Sequence, residues 1–261
     1  MKPAPPVTRT VRATGATLPD ASVVTVGSVT DVEWPGEERR RPPATSATWA
    51  VRAPLAAWLE EQAAAAGRDY RVLDVGCGPK PYYPFFAERA REYVGIDVVE
   101  NPAAELRGPV EALPVEDGSF DVVLCTQVLE HCDDPAQAVR ELRRVTAPGG
   151  RVLASTHGVQ VFPPSPQDYW RWTHEGLRRL FEEGVEWASV EVTPGAGTAT
   201  TLAMLLGTYV EIALRRTRLA RGPVWLLNRA GAALDARVTS LREPVPGALI
   251  ANFHVRALVG G

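Results

Sequence analysis

Arg71-Val72-Leu73-Asp74-Val75-Gly76-Cys77-Gly78-Pro79-Lys80 is the stretch that decides the fold. An apolar, β-branched run closing on an acid and two glycines suits a buried parallel strand that must turn sharply past a ligand. Glycine at 76 and 78 leaves no side chain between backbone and ligand. Asp74, at the end of the strand, can accept hydrogen bonds from a ligand ammonium or from the turn itself. Taken alone, the same ten residues also describe a Gly-rich turn that binds nothing, so the surrounding chain has to choose.

Upstream, Thr45 to Gly67 reads as a helix leading into the sheet, with Leu55, Trp58, Leu59 and Gln62 on one face. Downstream, Pro81 to Ala90 reads as a helix, and Tyr93-Val94-Gly95-Ile96-Asp97 as a second strand again ending in an acid. Strand, terminal acid and helix in repetition are the βαβ signature. Phe120 to Cys125 is a third buried strand. Asp134 caps the next helix, with Pro135 at its first position, Gln137 three residues after the cap and Val139, Leu142 and Val145 as its buried stripe. Pro148-Gly149-Gly150 stops that helix, and Arg151 to Thr156 is the following strand.

After His157 comes the proline-studded loop Phe162-Pro163-Pro164-Ser165-Pro166, then the aromatic cluster Tyr169-Trp170-Arg171-Trp172. Thr173 caps a helix from His174 to Glu183, and Val185 to Val192 reads as a strand. Helical stretches follow at Thr198 to Arg221 and Pro223 to Val238, and Leu249 to Leu258 closes the chain as an alternating strand. The first of these helices sets a polar line, Thr201, Thr208, Glu211, Arg215 and Arg218, against Leu202, Leu205, Leu206 and Tyr209. That spacing predicts a helix packed through its leucines, with Glu211 and Arg215 as an exposed i,i+4 pair. A second reading is an interfacial helix that lays Arg215 to Arg221 on anionic lipid, a peripheral membrane contact through 198–221.

The chain of 261 residues, 45% apolar and 23% charged with net charge −3, has the composition of a soluble globular protein and offers no electrostatic reason for a polyanionic partner such as nucleic acid. Three cysteines, Cys77, Cys125 and Cys132, form no metal-ligand spacing, and no metal is expected. The chain opens without a charged-then-apolar signal, so the cytoplasm is the expected compartment. The charge-free run Pro194 to Val210 is shorter than the ~18 to 20 residues a spanning helix needs. Residues 1–45 read as a mostly flexible arm, in which Ser22 to Trp34 fits a short strand or a lid.

Together these segments resemble the class I S-adenosylmethionine-dependent methyltransferases, in the group that includes the ubiquinone-biosynthesis methyltransferases. The resemblance runs from Tyr70 to Glu183. It rests on Val72 to Gly78, Gly95-Ile96-Asp97, Leu113-Pro114, Ser119 to Val123, Val128-Leu129-Glu130-His131 and Pro148-Gly149-Gly150. It implies an α/β, Rossmann-like sheet of seven mostly parallel strands, the last antiparallel, with helices on both faces and extra C-terminal helices. Residues 46–261 would form this domain, with a cofactor half at 70–157, an acceptor loop and helical elaboration at 158–248, and a closing strand at 249–258. S-adenosyl-L-methionine is the implied cofactor. Asp74, Gly76, Cys77 and Gly78 would face its amino-acid end, Asp97 its ribose, Val98, Ala112 and Leu113 its adenine, and Cys125 and Gln127 its methionine portion.

Two departures stand out. Lys80 occupies the place of the usual third glycine, which leaves Asp74 as the expected partner of the cofactor ammonium and points Lys80 to solvent or to the cofactor carboxylate. Pro109 replaces an acid that in relatives reaches the adenine, a contact left to Glu111 or absent. The Gly-Cys-Gly-Pro-Lys-Pro-Tyr form, together with Ser155-Thr156-His157 and Asp168 to Thr173, is similar to a subgroup met in surface-polysaccharide and secondary-metabolite clusters.

Methyl transfer from a sulfonium needs a nucleophile held in line ~3 to 3.5 Å away in a dry pocket, and a hydroxyl acceptor also needs a base. His157, just past a strand's carboxyl end, is the first candidate. Asp168 is the second, as base or as the group orienting His157. Tyr169, Trp170 and Trp172 would wall the acceptor pocket, and His131 would border it. The expected activity is O-methylation of a small molecule carrying a sugar or natural-product hydroxyl. Carbon or nitrogen methylation, and a catalytically inactive cofactor-binding subunit, are the competing readings. The acceptor and the oligomeric state are left open.

Overall fold

The computed structural model describes residues 34–161 and 167–261. The strand or lid expected at Ser22 to Trp34 falls, but for Trp34, outside these residues, as does the proline loop at 162–166. Seven helices, α1 Glu37–Arg40, α2 Trp49–Ala65, α3 Tyr83–Phe86, α4 Pro135–Val145, α5 His174–Glu182, α6 Thr198–Ala213 and α7 Arg221–Arg237, accompany seven strands. The strands are β1 Tyr70–Val75, β2 Ala90–Asp97, β3 Leu106–Arg107, β4 Phe120–Thr126, β5 Thr146–His157, β6 Ser189–Pro194 and β7 Asn252–Leu258. They form one sheet in the order β3-β2-β1-β4-β5-β7-β6, in which β7 runs antiparallel to both neighbours. This is the expected α/β arrangement.

Strand β1 is central because its side chains are apolar on both faces. Leu73 and Val75 join Ile96, Val123 and Cys125 beneath Val139, Leu142, Val145, Leu177 and Phe181 on one face. Val72, Val122, Leu124 and Leu153 face Leu55, Leu59 and Phe86 on the other. Each fully buried side chain of this kind contributes roughly 1.5–3 kcal/mol, and the two layers fix the carboxyl ends of β1, β2, β4 and β5 along one edge. The caps form as the sequence predicts: Asp134 accepts from the Gln137 amide at 2.9 Å, and Thr173 from that of Gly176 at 3.0 Å.

Four local expectations need correction. The helix expected over Pro81 to Ala90 is only the turn α3, because the chain from Ala90 is already committed to pairing with β1. The packed chain begins before residue 45, since Trp34 and α1 lie against the turn after β1. Helix α6 ends at Ala213, beyond which Arg215 and Arg216 take left-handed φ of 49° and 54°. Glu211 therefore does not pair with Arg215 and accepts instead from the Ala47 amide at 2.9 Å. Of the predicted packing residues Leu205 does pack, against Ala50, Val51, Met204 and Ala251, and the rest of the packed face of α6 is the reverse of the predicted one. Thr200, Thr201, Ala203, Met204 and Gly207 are buried, while Leu202, Leu206 and Tyr209 are exposed. Small residues permit close approach, and α7 comes so near that a Cβ on Gly231 would lie 2.8 Å from the Ala199 carbonyl oxygen. Thr201 satisfies its hydroxyl there, donating to Gly197 O at 2.9 Å and accepting from the Ala251 amide at 3.1 Å.

Candidate active site

The turn after β1 has three left-handed positions, Gly76, Gly78 and Lys80, with φ of 66°, 51° and 51°. The missing third glycine is thus a lysine held in a glycine's conformation, at a cost of about 1–2 kcal/mol. Lys80 points neither to solvent nor toward the ligand edge. Its stem lies over Gly95, where a Cβ would sit 2.3 Å from the lysine Cε, and its Nζ meets both oxygens of Glu105 at 2.5 Å. Glu105 also accepts from the Gly95 amide at 2.6 Å. On the outside, the Trp34 indole donates to Lys80 O at 2.8 Å and stacks on Tyr83 at 4.4 Å, and Arg40 donates to Pro81 O at 2.6 Å.

Asp74 is likewise turned inward. Its Oδ2 accepts from the Tyr93 hydroxyl at 2.7 Å, and burial pushes its carboxyl up to about 7, an effect only partly offset by Tyr93 and Lys80. This internal bond engages Oδ2 alone. Burial likewise pushes the Cys77 thiol up to about 12, so it stays neutral against Gly95.

The parts that fit an adenosyl group lie further along the edge. A Cβ at Gly78 would meet nothing within 4 Å, whereas one at Gly76 would strike Val128 Cγ2 at 2.4 Å, so only Gly78 faces open space. Asp97 accepts from the Gly78 amide at 3.2 Å and the Asn101 amide group at 3.0 Å through Oδ2, while Oδ1 has only the Val99 amide at 3.4 Å. That carboxylate retains acceptor capacity for a diol. Val98 and Val99 are exposed beside it, an apolar bed for a flat base. Ala112 is exposed on the same side, but Leu113 is in the core, and its amide donates to Glu141 at 2.8 Å. Glu111 accepts from the Asp133 amide at 3.1 Å. Cys125 is sealed in the core, so its thiol is not at the ligand edge, whereas Gln127, with φ of 57°, is there and donates to Ser155 Oγ at 3.0 Å.

The acceptor end gathers around a residue the sequence reading did not assign. Glu130, in the 3₁₀ turn Leu129–His131, is fully buried; its Oε2 accepts from the Thr156 hydroxyl at 2.8 Å and its Oε1 lies 3.3 Å from His157 Nε2. Burial raises Glu130 to about 7 and lowers His157 to about 4, with Arg171 lowering the latter further. Near neutrality His157 is therefore uncharged, and among the described residues neither its buried Nδ1 nor Glu130 Oε1 has a hydrogen-bond partner. Asp168 does not orient His157. It is ion-paired with Arg171, which holds its carboxyl below the usual range and makes it a poor base.

The aromatic cluster is stitched over this pair. Tyr169 and Trp170 amides donate to Glu130 O at 2.8 and 3.2 Å, and the Trp172 amide donates to His157 O at 3.0 Å. His131 Nδ1 contacts Gln167 O at 2.6 Å, and the Trp170 indole donates to Cys132 O at 2.8 Å. Trp170 and Trp172 stack at 5.7 Å, and Trp172 also packs on the core while Tyr169 stays half exposed. The available sequence signal for Glu130 was a carboxylate directly after the apolar pair Val128-Leu129.

A family model described as a methyltransferase domain matches residues 73–154. The ubiquinone biosynthesis O-methyltransferase of Pseudomonas aeruginosa (strain LESB58) is 36% identical over 117 residues, 38% of this chain and 48% of that protein. The chain thus spans about half the length of such relatives. A "Probable S-adenosylmethionine-dependent methyltransferase" of Mycolicibacterium smegmatis is 35% identical over 170 residues, 58% of this chain and 65% of that one. Among solved structures, the cyclase SpnF superposes with a TM-score of 0.50 at 20% identity, covering 78% of this chain and 82% of its own, a likeness of fold alone.

Proposed function

We propose that this chain, in which residues 73–154 match a methyltransferase domain within a seven-stranded α/β sheet, is an S-adenosylmethionine-dependent methyltransferase that methylates a hydroxyl of a small molecule, a sugar or another natural product. The observation that carries the choice of a hydroxyl is the Glu130–His157 pair at the carboxyl edge of β5, a buried carboxyl 3.3 Å from a neutral imidazole. A hydroxyl needs its proton removed as it attacks, and an imidazole backed by a carboxylate does this. The relatives named as a ubiquinone biosynthesis O-methyltransferase and as a probable S-adenosylmethionine-dependent methyltransferase support the same reading.

Gly78, Asp97, Val98 and Val99 would hold S-adenosyl-L-methionine, which supplies an activated methyl on sulfonium. The chain's own part is to seat the acceptor under Tyr169 and Trp170, to exclude water with the stacked Trp170–Trp172 pair, and to take the hydroxyl proton at His157. Glu130, 3.3 Å from Nε2, stabilises the imidazolium that forms. Cys77 and Cys125, as neutral buried thiols, take no part. Calorimetry with S-adenosylmethionine tests the frame: Asp97→Ala should weaken binding by ~30-fold or more, the scale of a lost charge-assisted pair, and absent binding to the wild type would sink it. Among the described residues no helix is long and apolar enough to cross a membrane.

A further inference from the structure

We infer that the α6–α7 hairpin is a docking surface for an anionic lipid bilayer, lying on the membrane without crossing it. Its outer face is apolar. Leu206, Tyr209, Leu219 and Leu226 are 56, 65, 76 and 62% exposed, with Leu202, Ile212 and Trp225 beside them. Monomeric soluble proteins rarely present so many large apolar side chains together unless a partner covers them. Leu202, Leu206 and Tyr209 follow an i, i+4, i+7 line along α6, opposite the buried face of Thr200, Ala203, Met204 and Gly207.

Charge selects the partner. Arg215, Arg216, Arg218 and Arg221 are exposed within seven residues at the hairpin's turn, and Arg229 is exposed on α7. Between Thr198 and Leu234 there are five arginines and one acid, Glu211, in a chain whose net charge is −3. Glu211 faces the body of the protein, where it accepts from the Ala47 amide. A second copy of this face would bring like charges together across a symmetric interface. An anionic bilayer offers apolar depth to the leucines and headgroup charge to the arginines, with Trp225 and Tyr209 amphipathic enough for the boundary.

The hairpin is built to carry such a load. Asp235 caps α6, accepting from the amides of Ala199 and Thr200 at 3.0 Å each. Asn228 on α7 donates to Ala44 O at 2.9 Å and Ser46 O at 2.8 Å, tying the pair to the chain before α2. Its root is close to the active site, because Ala251, which accepts from the Gly158 amide next to His157, donates to Thr201 on α6. This surface is independent of the methyltransferase reading.

The test is co-sedimentation of the full chain with phosphatidylcholine vesicles with and without phosphatidylglycerol, at low and high salt, beside sedimentation equilibrium without lipid. Binding should require phosphatidylglycerol and weaken with salt. Loss of headgroup attraction at about fivefold per arginine predicts that R215S/R216S/R218S binds ~100-fold more weakly. L206S/Y209S/L226S should lose binding even to anionic vesicles while keeping the wild-type circular dichroism and cofactor affinity. Failure of the wild type to bind anionic vesicles overturns the inference, as does binding unchanged by both triple variants. So does a lipid-free dimer that L206S/Y209S/L226S dissolves, since a second copy would then be the occupant.

Discussion

Glu130 Oε1 lies 3.3 Å from His157 Nε2, and burial moves the two groups in opposite directions, the carboxyl up to about 7 and the imidazole down to about 4. The 3.3 Å approach is not a hydrogen bond, since Glu130 Oε1 has no hydrogen-bond partner among the described residues, so the two groups are linked through charge. Below about pH 7 Glu130 is neutral and gives no support to an imidazolium beside it. Above it the carboxylate stabilises the imidazolium that forms as His157 takes the acceptor's proton. Turnover should thus rise with pH through about 7. Glu130→Gln, which keeps the volume and the Thr156 bond, should remove that inflection and lower kcat by ~100-fold with little change in cofactor Kd. A pH–rate profile of both proteins checks it, and an inflection that survives in the variant would exclude Glu130.

His157→Ala separates the base from its support. It should cost ~100- to 10,000-fold in kcat, with S-adenosylmethionine binding within about twofold of wild type. Unchanged turnover would move the proton acceptor elsewhere, and Asp168, tied to Arg171, is already a poor replacement.

What the sequence made legible follows from the range of the forces involved. Strand positions, caps and the buried stripe of α4 depend on local pattern and on burial, which alternation and end-residue chemistry encode directly. Lys80 and Glu105 could not be paired from sequence, because their contact spans 25 residues and depends on where β3 returns the chain. Glu130 was visible as a motif residue, but only the fold brings Thr156 and His157 to it. The face of α6 was misread because hydrophobicity was taken to mark the buried side; in this hairpin small residues set the packed side, and the large apolar ones are turned outward.

The Lys80–Glu105 pair makes a stability prediction. Lys80 Nζ is almost wholly buried, while Glu105 is half exposed. Glu105→Ala should leave an ammonium without its partner and the Gly95 amide unbonded, at about 3 kcal/mol. Lys80→Gly relieves the left-handed strain but forfeits the pair and the packing on Gly95, and should cost less, ~1 kcal/mol. Urea midpoints rank them. Equal losses, or a larger one for Lys80→Gly, would show that the pair is not what holds the turn.

The two glycines of the turn should respond differently to the same added methyl. Gly76→Ala meets Val128 at 2.4 Å on top of a φ of 66°, so it should destabilise by ~2–4 kcal/mol. Gly78→Ala meets open space and should cost only the left-handed strain, ~1 kcal/mol, while weakening cofactor binding by ~10-fold or more because its Cβ enters the cradle. Thermal denaturation with and without S-adenosylmethionine distinguishes them.

Asp74 gives a pH prediction of opposite sign to that of a surface carboxylate. Its folded value, about 7, stands above the ordinary 3.8, so the folded protein holds a proton that the unfolded chain releases. Stability from this group is complete below pH ~4 and is lost as pH rises to about 7 and beyond, by up to ~4 kcal/mol. Asp74→Asn keeps an oxygen for the Tyr93 hydroxyl and has no charge to bury. The variant should match the wild type in urea at pH 4 and exceed it at pH 8, and the same stability difference at both would mean that Asp74 is not protonated in the folded protein.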